Sequence, residues 1–249
     1  MSDDQRRIRA VFFDAAGTLF SVSRPVADIY LELATAYGFR ERPDTRASLN
    51  TAFQRAMQDA PPPVFLVDDP GEIKRCERLW WFDVVHNVFY RVGMFERFDD
   101  FFEEVFRRFD GPEFWRVYPD TRETLDLLRK RGLELGIISN FDSRLFTVLR
   151  GLSLAECFDT VTISSLARAA KPAPAIFRWA LAQHALDPEE ALHVGDSLGE
   201  DAEGAQRAGL TGVWLDRSKT SHGAVQANAD QALKISSLGD LPALLDRLG

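Results

Sequence analysis

The chain has 249 residues, 45% of them hydrophobic, and a formal net charge of −8. That length can bury a sizeable core, and the acidic balance with dispersed basic residues argues against nucleic acid or an anionic membrane as partner. Two cysteines, Cys76 and Cys157, make no disulfide framework, and the charged N-terminus has no apolar signal core, so a reducing cytoplasm is the expected compartment.

The short cluster Arg6-Arg7-Ile8-Arg9 reads as a solvated end. Residues 8–13 alternate into an apolar run and predict a buried strand. From about residue 24 to 110 apolar residues recur at helical spacing. Ile29, Leu33 and Ala36-Tyr37 share one face, as do Leu79, Phe82, Val85-His86 and Phe89. Pro61-Pro62-Pro63 and Asp68-Asp69-Pro70-Gly71 break this region as loops. After Tyr118-Pro119-Asp120 the rhythm changes. A helix is expected over 121–131, a strand over 133–138, a helix near 143–150 and a strand near 160–163. A helix opened by Pro174 follows over 174–185. Further strands are expected at 191–194, 212–215 and Ala232–Ile235, with helices over about 200–208 and from about 238. No stretch is long and apolar enough to span a bilayer, and no repeat or low-complexity tract is evident. The alternation from 119 onward predicts an α/β fold with a parallel sheet covered on both faces. The first strand joins that sheet across a helical insertion.

Open sheets of this kind bind ligands beyond the carboxyl ends of their strands. Four polar signals fall there. Asp14 follows the apolar run Val11-Phe12-Phe13 and opens Asp14-Ala15-Ala16-Gly17-Thr18-Leu19, a poor choice for packing and a good one for presenting a carboxylate nucleophile. Ser139-Asn140 follows Ile137-Ile138, Lys171-Pro172 precedes a helix, and Gly195-Asp196-Ser197, with Glu200-Asp201, follows Leu192-His193-Val194. A carboxylate, a hydroxyl, a cation and an acidic cluster suit a phosphate held with a hard divalent cation.

These motifs, in this order, resemble the haloacid dehalogenase-like (HAD) hydrolase superfamily. The resemblance implies a Rossmann-like core from 1–20 and 113–249, with a helical cap from 21–112. It implies a Mg²⁺-dependent phosphatase of a small phosphorylated metabolite, acting as a monomer or homodimer. By the same resemblance, Asp14 is the nucleophile, Ser139 and Asn140 hold the phosphoryl group, and Lys171 offsets charge. The amides of Ala15 and Ala16 contact the phosphoryl group and Thr18 braces the turn. Asp14, the Ala16 carbonyl, Asp196 and Asp201 form the metal site, where Asp201 holds a metal-bound water or Lys171.

The chain departs from the common phosphatase pattern at Ala16, where an acid–base aspartate usually stands. Alanine keeps the backbone carbonyl and loses the proton-transferring group, which typically costs ~10²–10⁴-fold in rate. Two relatives share that loss. The 2-haloacid dehalogenases resemble this chain in Asp-Ala-x-Gly-Thr-Leu-Phe but use no metal, and their last motif is less acidic. Phosphonoacetaldehyde hydrolases match Ala16 and need a cap lysine; the insert's only lysine, Lys74, lies in the charged run Glu72-Ile73-Lys74-Arg75-Cys76-Glu77 and reads as a solvated surface residue. A third alternative is a phosphometabolite-binding protein without turnover. Asp142, close to Asn140 in sequence, is a candidate substitute acid. The stripe Trp80-Trp81-Phe82, Phe89-Tyr90 reads as insert core, Arg24 as a surface residue, and His86, His184, His193 and His222 as structural or surface groups.

Overall fold

The computed structural model describes residues 8–218 and 233–248. Ala10–Phe13, with every side chain buried, forms β1 at the centre of the molecule. Burial on both faces is what an all-apolar run of β-prone residues satisfies. Phe20–Val22 is β2. Four helices follow: α1 (Val26–Ala36), α2 (Thr45–Asp59), α3 (Pro70–Val92) and α4 (Phe98–Arg108). Helix α3 starts where Pro70 takes the first position and the Asp69 side chain accepts a bond from the Glu72 amide at 2.9 Å. The chain returns through β3 (Trp115–Val117), which pairs antiparallel with β2. It then alternates: α5 (Thr121–Lys130), β4 (Glu134–Ser139), α6 (Leu145–Gly151), β5 (Thr160–Ile163), α7 (Ser164–Ala167), α8 (Pro174–His184), β6 (Ala191–Gly195), α9 (Glu203–Arg207), β7 (Thr211–Leu215), β8 (Leu233–Ile235) and α10 (Leu241–Leu248).

The main sheet runs β5-β4-β1-β6-β7-β8, and each adjacent pair is parallel. This is the α/β Rossmann-like core with an inserted helical cap. Because β1 lies between β4 and β6, the connections diverge at its carboxyl end. That end is the ligand-binding crevice of such sheets. One apolar cluster lies on the face that includes Val11, Phe13, Leu135 and Leu192, and another on the face of Phe12, Ile176 and Phe177. The inserted helices hold their own cluster, centred on Tyr30, Phe89, Phe98 and Phe101. No helix among the described residues is long and apolar enough to cross a membrane.

The element boundaries fall within two or three residues of the sequence expectations, with some corrections. The first strand begins at Ala10, not residue 8. The β2–β3 ribbon and α7 were not expected, because three- and four-residue elements carry no measurable period. The helix expected over 200–208 opens as a π-helical turn at Leu198–Ala202 before α9. The last expected helix is a 3₁₀ turn over Leu238–Asp240 leading into α10. Leu79, placed on the buried face of its helix, is 54% exposed. Ala232, His222, Arg6 and Arg7 lie outside the described residues.

A polar brace joins the two ends of the core. Asp120 accepts from both Arg217 guanidinium nitrogens (3.0 and 3.2 Å), the Ser237 hydroxyl (2.7 Å) and the Leu238 amide (2.9 Å). Burial alone would raise the Asp120 carboxyl. The bonds from Arg217, Ser237 and Leu238 outweigh it and hold the group below its ordinary 3.8. Asp120→Asn is therefore expected to cost about 1–3 kcal/mol of stability at pH 7. Since the folded value is depressed, that difference is present above the ordinary 3.8 and fades as pH falls through the lower folded value. Urea melts of both proteins at pH 7 and pH 3 check this.

Candidate active site

Asp14 is the first residue past β1, and its amide donates to the Val194 carbonyl of the neighbouring strand (2.9 Å). The chain then turns sharply. Leu19 N–H donates to Ala15 O, and Gly17 N–H to Phe20 O, both at 2.8 Å. Gly17 adopts φ +94°, and a Cβ there would sit 2.4 Å from an Asp196 carboxylate oxygen. Only glycine lets the turn lie against that carboxylate. The Thr18 carbonyl accepts from Arg217 Nη2 (2.7 Å), so the brace described above also holds this loop.

Ser139 ends β4 and Gly195 ends β6. After Gly195 the Ser197 hydroxyl accepts from the Glu200 amide (3.3 Å) and starts the π-helical turn that carries Asp201 inward. A Cβ on Gly195 would meet Asp201 Cγ at 2.1 Å, so the strand end is also shaped around a carboxylate. The Lys171 backbone is clamped by Asn140. Asn140 Nδ2 donates to Lys171 O (2.9 Å), and Lys171 N–H donates to Asn140 Oδ1 (2.8 Å).

These backbones bring four side chains together. Lys171 Nζ donates to Asp14 Oδ1 and to Asp201 Oδ1, each at 2.6 Å. Ser139 Oγ donates to the same Asp14 oxygen at 3.0 Å. Asp201 Oδ2 accepts from the Ser197 amide (2.9 Å), and Asp201 Oδ1 also meets His193 Nε2 at 3.0 Å. Ligand atoms of Asp14, Asp196 and Asp201 all lie within 4.8 Å of one another.

Three comparisons with known proteins bear on this geometry. The family model for haloacid dehalogenase-like hydrolases matches residues 8–209. The chain is 32% identical over 241 residues to haloacid dehalogenase-like hydrolase domain-containing protein 3 of Danio rerio, covering 96% of both chains. The chain belongs to the haloacid dehalogenase-like hydrolase family. Among solved structures, a HAD phosphatase from Thermococcus onnurineus superposes with TM-score 0.63 at 25% identity, covering 96% of this chain and 98% of that one. A 2-haloacid dehalogenase from Pseudomonas syringae pv. Tomato superposes with TM-score 0.62 at 24% identity, covering 97% and 100%, and shares the fold.

Within this HAD site the charges are strongly coupled. Burial pushes the Asp14 carboxyl above the usual range. Lys171 opposes that rise and Asp201 adds to it. Asp201 is buried too, but Lys171 and His193 outweigh burial and hold it well below the usual range. Lys171 stays protonated, because the two carboxylates more than offset its burial. Asp196 is pushed up to about 6, by removal from water first and then by the charges of Asp14 and Asp201. His193 is fully buried, and that burial lowers its pKa, so it packs as a neutral ring edge-on to Phe177.

The donor set fits a hard divalent cation. Three carboxylates converge within 4.8 Å, and the charges of Asp14 and Asp201 add to the rise that removal from water imposes on Asp196. A cation beside Asp14 and Asp196 would relieve the repulsion that Lys171 alone does not.

The candidate substitute acid is a correction. Both Asp142 oxygens are taken. Oδ1 accepts from the Arg144 amide (3.0 Å) and Nε (2.9 Å), and Oδ2 accepts from Arg144 Nη2 (2.6 Å) and Trp81 Nε1 (2.5 Å). Asp142 therefore joins cap to core and has no free edge for proton transfer. Next to it, Glu77 of α3, 2% exposed, accepts from the Ser143 amide (2.9 Å) and the Ser143 hydroxyl. Two residues one helical turn apart on α3, Glu77 and Trp81, thus grip the loop that follows Ser139 and Asn140. The sequence reading missed this grip. Its one signal was a glutamate on an otherwise apolar helical face.

Lys74 is exposed on α3, which removes the geometry a Schiff-base lysine needs. Arg24 pairs with Glu32 at 2.6 Å. The aromatic stripe divides. Phe82 and Phe89 pack in the insert core, Tyr90 is 74% exposed, and Trp81 faces the core domain. His184 bonds Thr160 (2.6 Å) and Glu134 (2.5 Å), a structural position.

Between the helical insert and the strand ends lies a cavity of roughly 270 Å³. Ala16, Asn140, Phe141 and Arg144 form its core-side wall, and helices α1 to α4 supply much of the rest. Ala16 is half-buried and looks into this space.

Proposed function

We propose that this hydrolase is a Mg²⁺-dependent phosphatase of small phosphorylated molecules, and that it forms an aspartyl-phosphate on Asp14. The observation that carries the proposal is the convergence of Lys171 and Ser139 on Asp14 Oδ1. No described residue donates to Asp14 Oδ2. One carboxylate oxygen is thus anchored and the other is free to attack. Residues 1–20 and 113–249 act as the core and 21–112 as a cap that excludes water. The charge and cysteine content favour a cytoplasmic protein, monomeric or homodimeric.

Asp14 Oδ2 attacks phosphorus and the bond from phosphorus to the leaving oxygen breaks, with the electron pair going to that oxygen. Lys171, the Ser139 hydroxyl and the amides of Ala15 and Ala16 stabilise charge on the phosphoryl oxygens. Asn140 keeps Lys171 in place through its backbone, and Thr18 anchors the turn through Arg217. Water then attacks phosphorus, which releases phosphate and restores Asp14. Asp14, Asp196 and the Ala16 carbonyl, with Asp201 behind them, would hold Mg²⁺, which supplies Lewis-acid neutralisation of the phosphoryl charge. Ala16 offers no proton to the leaving oxygen and no base to the water, so leaving groups that depart as anions suffer least.

Hydrolysis of p-nitrophenyl phosphate, with Mg²⁺ or with EDTA, tests the proposal. Turnover is expected only with Mg²⁺, and Asp14→Asn is expected to reduce it about 10⁴–10⁶-fold. Metal-independent halide release from 2-chloropropionate, without phosphate release from the ester, would replace this reading with a dehalogenase.

A further inference from the structure

We infer that the group leaving the phosphate is an apolar ring, and that it sits in the cavity between cap and core. This deepens the phosphatase reading and rests on it. The wall is built from Trp81, Phe102, Phe106, Phe109, Trp115 and Phe141, with aliphatic side chains between them. Its polar groups are already engaged. The Arg144 guanidinium is bound to Asp142 (2.9 and 2.6 Å) and lies over the rings of Phe106 (4.1 Å) and Trp81 (5.1 Å). The Asn140 amide is clamped to the Lys171 backbone (2.9 and 2.8 Å). That leaves the Tyr30 hydroxyl, whose pKa burial raises above its ordinary value and which so stays a neutral O–H. A sugar or polyol seated here would give up hydrogen bonds to water and find few in return. The loss is about tenfold in affinity, or more, for each buried hydroxyl.

Size agrees with this chemistry. A dry apolar cavity of roughly 150 Å³ is enough for a benzene ring. The roughly 270 Å³ here accommodates one or two fused rings.

A second feature points the same way. Ala16, two residues after Asp14, lines this wall and is also the residue that removes the general acid. An aryl oxide leaves as an anion and needs no proton in the transition state, whereas an alkoxide does. Phosphorus exchanges its bond to the aryl oxygen for one to Asp14. The aryl oxide departs with the electron pair and takes its proton from solvent water. A second water then cleaves the aspartyl-phosphate. An apolar wall and a missing acid thus select one substrate class: phosphate monoesters of phenols, or of alcohols of comparable acidity and apolarity.

The test compares kcat/KM with Mg²⁺ for 1-naphthyl phosphate, glycerol 3-phosphate and glucose 6-phosphate. In parallel, calorimetry measures binding of 1-naphthylphosphonate and methylphosphonate, which are not hydrolysed. The naphthyl ester is expected to lead by about a hundredfold, and the naphthylphosphonate to bind at least about tenfold more tightly. Val26→Phe, which adds bulk to the cavity wall, is expected to lower that binding ratio about tenfold. If phosphate is released but the polyol esters lead, the substrate class is wrong and the phosphatase reading stands. Equal binding of the two phosphonates to the wild-type protein overturns the inference without relying on any variant. If no ester releases phosphate, the phosphatase reading fails, and the binding ratio alone then decides whether the cavity takes a ring.

Discussion

Replacing Lys171 by methionine is expected to lower kcat for phosphate release by about 10²–10³-fold and to cost about 3–5 kcal/mol of stability. Both effects have one cause. Lys171 Nζ sits 2.6 Å from Asp14 and from Asp201, and all three side chains are buried. Without the ammonium, two carboxylates face each other with no buried cation between them. Breaking a buried ion pair from one side costs far more than the pair is worth, because an uncompensated charge remains. The stability deficit is expected to shrink as pH falls and the two carboxyls protonate. It is also expected to shrink when Mg²⁺ is added, since a cation bound to the cluster supplies part of the missing charge. Urea melts with and without Mg²⁺ measure both trends. Activity within tenfold of wild type, with an unchanged melt, would show that Lys171 is not the partner of Asp14.

Ala16→Asp is the second large effect, and its sign is opposite. The new carboxylate would stand at a half-buried position open to the cavity, so it meets no packed wall. Turnover is expected to rise about 10²-fold or more. The gain should be larger for alkyl phosphates, whose leaving oxygen needs a proton, than for aryl phosphates. In the wild-type protein an aryl ester leaves readily while water attack lacks a base. The covalent phosphoenzyme should therefore accumulate, with a burst of phenol before the steady rate. Steady-state rates on phenyl and methyl phosphate, compared between wild type and Ala16→Asp, report this. An absent gain on both esters would mean that another group already moves these protons, and an equal gain on both would mean that the shared hydrolysis of the phosphoenzyme, not departure of the leaving group, is what the missing carboxylate limits.

The parts of the candidate site that were legible in the sequence, and that the structure brings together, are those that violate local packing logic. Asp14 after Val11-Phe12-Phe13, and Asp196 after Leu192-His193-Val194, are charges at the ends of buried strands. A parallel sheet gathers such ends whatever lies between them. Asn140, adjacent to Ser139, needed the structure to show its work, which is done on the Lys171 backbone rather than on open solvent. Other parts had no local signature. Asp120, Arg217 and Thr18 meet across 97 and 199 residues of sequence separation. His193 reads as one more strand residue until Asp201 is folded against it. Asp142 was judged only by nearness to Asn140, while its bonds go to Arg144 and to Trp81, which lies 61 positions earlier. Trp81 itself belonged to a stripe whose members split among core, surface and cavity according to a helical phase that a run of aromatics conceals. The short β2–β3 ribbon was invisible for a simpler reason. Three residues cannot display a period of two.

The proposed chemistry requires Asp14 to carry the phosphoryl group. Rapid quenching of the wild-type protein mixed with Mg²⁺ and p-nitrophenyl phosphate tests that most directly, with peptide mass analysis of the quenched chain. The prediction is a nitrophenol burst close to one equivalent of enzyme and one phosphoryl group on the peptide that contains Asp14, both absent in Asp14→Asn. Linear release with no phosphorylated peptide, or a phosphoryl group on any other residue, would contradict it.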